Sequence, residues 1–225
     1  MEQTNPYLSE AEIVSSFSAE DFVPDGNPDK RVWQGTDRVV FDHDWMGERH
    51  FPESETQVAS LWTPSYFYFA FWCRYTDLNL YEGEDPAAQK YGLWDRDVAE
   101  IFLNPCPERV NHYFEFEVAP NNQWVDLEID FDKDPFYDHT WDSNFRHATR
   151  IDPAARIWTL EMQIPAASVN VPLVRSGWEC RINFYRCDGP GDDTQRRFLA
   201  WSPTLCTGAS EYFHVPARFG RIRFE

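Results

Sequence analysis

Basic residues are scarce in this chain. Twenty Lys and Arg stand against 38 Asp and Glu, a formal charge of −18. That balance argues against nucleic acid or an anionic membrane surface as partner. It suits neutral sugars, cations or a basic partner, and it is also a common route to solubility. Long apolar runs are missing too. The longest, Tyr66 to Cys73, is far too short to cross a bilayer. No stretch reads as a signal peptide. Five cysteines occur, but no CxxC pair, so a zinc site or a thioredoxin-like motif is not expected. Cys180 and Cys187 flank one expected strand and could not bridge without bending it. GxSxG, HExxH, phosphate-loop and dinucleotide-binding fingerprints are all absent. The six histidines are scattered without ligand spacing.

Aromatics are abundant, with 18 Phe, 10 Tyr and 10 Trp, and such residues favour strands. The 16 Pro argue against many long helices. Turn signals separate roughly ten alternating segments, the pattern of an antiparallel β-sandwich or barrel. No repeat or linker divides the 225 residues, so one domain is expected, with residues 1–20 as an irregular lead-in. Within that lead-in, Ser9 to Val14 reads as a short helical turn. Thr56–Trp62 and Tyr66–Tyr75 read as a central hairpin, because the second is almost wholly apolar.

Alternation assigns faces. On the strand that follows Trp94, Asp97, Ala99, Ile101 and Leu103 share one side, and Val98, Glu100 and Phe102 share the other. An acid among apolar neighbours needs a partner. A tryptophan close by suggests a ligand with a flat apolar face and a polar rim, as a sugar has. Phe114, Phe116 and Val118 are expected in the core, with Tyr113, Glu115 and Glu117 outward. On the next segment Val125, Leu127 and Ile129 are expected inward, and Asp126, Glu128 and Asp130 outward. That acidic row repels itself unless countered. Pairing with Arg146 and Arg150 is the simplest resolution. A calcium ion held by Asp130, Asp132 and Asp134 is the sharper one.

Four segments resemble the family 9 carbohydrate-binding modules known from xylanases. They are Asp25-Gly26-x-x-Asp29-x-x-x-Trp33, then Trp94-x-x-Asp97-x-x-Glu100-Ile101-Phe102, then Ile157 to Pro165 with Trp158-x-x-Glu161-x-x-Ile164-Pro165, and last Ala200-Trp201-Ser202 with Phe213-His214-x-Pro216-x-x-Phe219-Gly220. The resemblance implies an immunoglobulin-like β-sandwich, secreted or periplasmic. Its function would be non-catalytic binding of a terminal sugar of a plant-type polysaccharide such as xylan or cellulose. It implies stacking by Trp94, hydroxyl contacts by Glu100 and loop support by Asp97. It places the second aromatic at Phe213, where the best-known members carry tryptophan. Glu115 falls near the place of an arginine and Tyr185 near that of a glutamine, with Asn183 beside it. Carbohydrate is the expected partner of a monomeric chain, and calcium is the one metal considered.

Two other readings start from the same residues. A glycosidase needs paired carboxylates, for which Asp97, Glu100 and Glu115 are candidates. An interaction sandwich without sugar binding would instead present Tyr113, Trp124 and Trp141 to a protein partner.

Overall fold

Period-two alternation is realised almost everywhere in the computed structural model, which describes residues 7–27, 29–83, 85, 88–189, 195–207 and 212–225. Its strands are β1 (Glu12–Phe17), β2 (Arg38–Phe41), β3 (Thr56–Thr63), β4 (Tyr66–Arg74), β5 (Val98–Asn104), β6 (His112–Val118) and β7 (Trp124–Asp130). They continue as β8 (Tyr137–Asp138), β9 (Arg146–Asp152), β10 (Ile157–Pro165), β11 (Glu179–Asp188), β12 (Arg197–Ala200) and β13 (Gly220–Phe224). Of the turn expected at 188–193, residues 190–193 lie outside the described ones.

The strands run in one open path, β8-β7-β6-β5-β11-β13-β1-β3-β4-β10-β9, with β12 on β11 and β2 on β3. The path folds over itself into two layers. Phe67, Phe69 and Phe71 of β4, with Leu160 and Met162 of β10, meet Ile101 and Leu103 of β5, Phe114 and Phe116 of β6, and Ile182 and Phe184 of β11. Phe184 stands edge-on to Phe69 and Phe71, each at 5.8 Å between ring centres. Each such buried ring is worth about 1.5–3 kcal/mol of transfer free energy.

Three expectations need correction. Residues 12–17 are a strand, not a helical turn within an irregular lead-in, and β1 pairs parallel to both β13 and β3. Its polar residues hide it: Ser15 is fully buried and accepts a 2.8 Å bond from the Ser60 hydroxyl. The sheet is therefore mixed, and it has 13 strands, β1 and the two-residue β8 among them, close to the roughly ten expected. Second, β9 pairs with β10, so Arg146 and Arg150 do not counter the acids of β7. Those acids find other partners. Glu128 meets His112 at 2.6 Å, and Asp130 meets Arg109 at 3.2 Å and Lys133 at 3.4 Å.

Third, the faces of β7 are reversed. Leu127 pairs with Glu115 and Val125 with Glu117, so the apolar row of β7 shares the outer face of β6. Asp126, opposite Phe116, points the other way and is fully buried. Burial raises its pKa, and it is satisfied by the Ser143 amide at 2.8 Å, the Ser143 hydroxyl at 2.6 Å and Gln89 at 3.0 Å. Alternation shows which residues share a face, not which face is the interior.

The first and third motif segments meet in one knot. Glu161 of β10, 2% exposed, accepts from the amides of Asp25 and Gly26 at 2.8 and 2.9 Å. It also accepts from Lys30 Nζ at 2.7 Å and from Trp33 Nε1 at 2.6 Å. Gly26 has φ +72°, and a Cβ there would lie 2.8 Å from the Thr149 carbonyl carbon, so the turn needs glycine. The closing motif has a similar cause. A Cβ at Gly220 would sit 2.6 Å from the Trp201 ring.

Candidate functional site

The outer face of β5, β6, β7 and β11 is not left to solvent. Alternation brings Glu100 and Phe102 of β5, Glu115 and Glu117 of β6, Leu127 and Ile129 of β7, and Cys187 of β11 to this face. Two loops and the start of β8 bring aromatics over it. Residues 91–94 supply Tyr91 and Trp94, residues 136–137 supply Phe136 and Tyr137, and the last loop supplies Tyr212, Phe213 and His214. Between strands and loops lies a cavity of about 330 Å³. That is at the small end of the range of ligand pockets, roughly 300–1,000 Å³.

The floor is acidic. Glu100 and Glu117 are directly opposite each other across the β5–β6 pair, and Glu115 is two residues from Glu117 on the same face. One carboxylate oxygen from each lies within 4.8 Å of the others. All three are buried, at 1%, 3% and 1% exposure for Glu100, Glu115 and Glu117. Crowded buried acids cannot all ionise. Burial first, then the charge of Glu115, pushes Glu100 up to about 8. Burial, then Glu100 and Glu115, lifts Glu117 well above the usual carboxylate range. The Cys187 thiol donates to Glu100 at 3.1 Å. Glu115 Oε2 and both carboxyl oxygens of Glu117 meet no donor from any other described residue, and contact with Glu115 itself helps to lift Glu117.

Trp94 sits half-buried on a single helical turn, Leu93–Asp95, entered through Gly92 at φ +84°. Its ring meets Tyr91 edge-on at 4.9 Å, and its carbonyl accepts from Arg196 at 2.6 Å. Phe213 lies flat on Tyr185, 4.1 Å and 14° apart. Tyr185 donates to the Phe213 carbonyl at 2.8 Å and accepts from Asn183 at 2.7 Å. Asn183 is otherwise bound to both the amide and the carbonyl of Ser202. Tyr185 and Asn183 thus stand behind the cavity and fix the Phe213 loop. Asp97 is fully buried and accepts from the amides of Asn79 and Gly189, each at 3.1 Å. Burial pushes its carboxyl up to about 7.

Of the seven residues expected from sequence, the fold brings Trp94, Glu100, Glu115 and Phe213 to the cavity wall, while Asp97, Asn183 and Tyr185 brace it. Reasoning from sequence did not single out Glu117 as a site residue, although its alternation with Glu115 carried the signal. The aromatics Tyr91, Phe136, Tyr137 and Tyr212 gave no periodic signal at all. Asp130, Asp132 and Asp134 do not converge. Glu100, Glu115 and Glu117 are the one group of acids placed to share an ion among the described residues. Asp130 is engaged by cations, as above, and Asp132 accepts from Asn111 at 3.4 Å. Tyr113 is buried, and Trp124 and Trp141 are half-buried against the core, so none of these is an exposed docking aromatic. No helix among the described residues is long and apolar enough to cross a membrane.

Comparison with known proteins agrees with this architecture. Residues 24–225 match the family described as carbohydrate family 9 binding domain-like. A relative named extracellular protein, from Arthroderma benhamiae, is 29% identical over 147 residues, which cover 59% of this chain and 62% of that protein's length. A solved structure from Bacteroides uniformis superposes with a TM-score of 0.75 at 17% identity, over 96% of this chain and 100% of its own. A family 9 carbohydrate-binding module from Caldicellulosiruptor kristjanssonii, solved with glucose, gives a TM-score of 0.64 at 16% identity, over 96% of each chain. The same kind of module solved with cellotriose gives 0.62 at 16% identity, over 96% and 94%. The chain belongs to the carbohydrate family 9 binding domain-like family.

Proposed function

We propose that this chain is a non-catalytic binding module for a terminal sugar ring of an extracellular polysaccharide or oligosaccharide. The observation that carries this reading is one small cavity with aromatic walls over a floor of acids. An apolar ring face lies against Trp94, with Phe213 closing the far side. Hydroxyls reach Glu100, Glu115 and Glu117, and polar groups fix orientation in an otherwise apolar pocket. The cellotriose and glucose complexes of the Caldicellulosiruptor modules support a glucose-type ring in a plant polymer such as cellulose. Xylan is the second polymer to test. The name of the Arthroderma relative supports an extracellular setting.

Binding suits the site better than hydrolysis. Glycosidases place two carboxyl groups on opposite sides of the bond, about 5–9.5 Å apart. Here Glu115 and Glu117 lie on one strand face and Glu100 lies beside them, so all three approach a ligand from one side. Asp97 is turned into its loop.

Calorimetric titration with glucose, cellobiose, cellotriose and xylotriose tests the reading. Trp94→Ala is expected to weaken binding at least tenfold, about 1.4 kcal/mol, while shifting the melting temperature by less than about 2 °C, because Trp94 is half-buried on a surface turn. A large fall in melting temperature with unchanged affinity would make Trp94 a packing residue. Turnover of aryl glycosides that disappears in Glu100→Gln would convert the module into an enzyme.

A further inference from the structure

The floor of the cavity holds more acid than a neutral sugar needs. Three carboxyl groups share it, and no lysine or arginine lines the cavity among the described residues. Within the cluster, Glu115 Oε2 and both oxygens of Glu117 are buried and meet no donor from any other described residue, on side chains that line the hollow. Buried polar atoms left unmatched mark a place where a partner belongs. A hydroxyl supplies a single donor and no charge. An ammonium supplies three donors and a positive charge, and bonds of that kind are roughly twice as strong as neutral ones.

The walls indicate which kind of cation. Calcium takes six to eight oxygen ligands. Above these acids the walls are instead the rings of Tyr91, Trp94, Phe136, Tyr137, Tyr212 and Phe213. Ring faces complete the shell of an organic cation, not that of a metal. Resting on the sugar-binding reading above, we propose that this site takes an amino sugar carrying a free ammonium, which sits over Glu115 and Glu117 while the sugar ring lies against Trp94.

Proton bookkeeping gives a second signature. In the empty site burial and mutual repulsion hold Glu100 up to about 8 and lift Glu117 in the same direction, so both are biased toward the protonated form. The groups facing them are Glu115 on β6, Tyr185 and Cys187 on β11, and, from the loops, Tyr91, Asp95 and Arg196, with Tyr137, Tyr212 and His214 on the cavity walls. Burial holds the Tyr185 and Cys187 protons well past neutrality. An incoming ammonium favours the carboxylate forms, so it expels protons from the acids; an uncharged ring does so much less.

Glucose, glucosamine and N-acetylglucosamine differ at one ring position and make the test. The full chain is titrated with each at pH 6.5, in two buffers of different ionisation enthalpy, with chelator and again with calcium chloride alone. Glucosamine is expected to bind at least tenfold tighter than the other two and to release protons, with no effect of chelator. Glu117→Gln is expected to reduce the glucosamine-to-glucose ratio to under threefold without lowering the melting temperature. Glucose binding as tightly as glucosamine overturns the inference and leaves the sugar-binding reading standing. No binding of any sugar, including cello-oligosaccharides, overturns both. Calcium binding alone, with sugar binding that then depends on it, replaces the ammonium with a metal and also overturns the inference.

Discussion

Glu161→Ala is expected to lower the unfolding free energy by about 3–5 kcal/mol, the usual result of stripping one partner from a buried charge pair. Native domains have only about 5–15 kcal/mol to lose. The size follows from what the carboxylate serves. Lys30 Nζ, Trp33 Nε1 and two backbone amides converge on its two oxygens within 2.6–2.9 Å. In the alanine variant the indole of Trp33, 1% exposed, keeps a buried N–H with nothing to accept it. The turn at Asp25–Gly26 loses its tether to β10. Glu161→Gln keeps the volume but turns an amide nitrogen toward donors, and should cost roughly 2–3 kcal/mol. Urea denaturation monitored by tryptophan fluorescence measures both. Values within about 1 kcal/mol of the parent would mean that the turn holds itself, and that the carboxylate is a passenger. None of these residues is near the cavity, so sugar affinity at temperatures well below the transition should not change.

That knot also shows what could be read from the sequence. The spacing Asp25-Gly26 to Trp33 and the spacing Trp158 to Glu161 were visible as separate motifs, but nothing in one segment pointed to the other. Only pairing of β10 with β4, and the return of the opening loop over them, joins them. The layered β fold was legible because inter-sheet rows such as Phe114, Phe116 and Val118 alternate cleanly. β1 was not, because its buried positions are partly serine. At the site, Trp94, Glu100 and Glu115 could be found by alternation and by resemblance. Asp97 and Asn183 had the same chemical credentials, yet their side chains are spent on backbone groups. Hydrogen bonds to loops distant in sequence decide that question, and periodicity carries no record of them. The direction in which β7 presents its apolar row was missed for a related reason. Both of its faces are covered, one by the opposite layer and one by the loops around the cavity, so an apolar row there does not identify the core.

Glu100→Gln is expected to stabilise the protein, and to do so more as pH rises. An unfolded glutamate titrates near about 4.3. In the folded chain burial and Glu115 hold the Glu100 proton up to about 8. Between those values the folded state binds more protons than the unfolded state, so stability falls as pH rises. Glu117, lifted in the same direction, and Asp97, held up to about 7, add to the fall. His147 opposes it at the acid end. Burial depresses His147 to about 4, so from there to its unfolded value near 6.5 stability rises with pH. The decline is therefore cleanest from about pH 6.5 to 8, where one group of this kind contributes on the order of 2 kcal/mol. Gln at position 100 has no proton to lose and still offers an oxygen to the Cys187 thiol. Denaturation at pH 5, 6.5 and 8 should show parent and variant drawing apart, with the variant falling less steeply above pH 6.5, where Glu117 and Asp97 still contribute. A parent whose stability is flat or rising over that window would show that the acids ionise freely, in contact with water. The same variant should bind sugar more weakly, since an acceptor on the cavity floor has become half donor. An acid that weakens the empty fold and strengthens the occupied one has been placed there for the ligand, because packing alone would select against it.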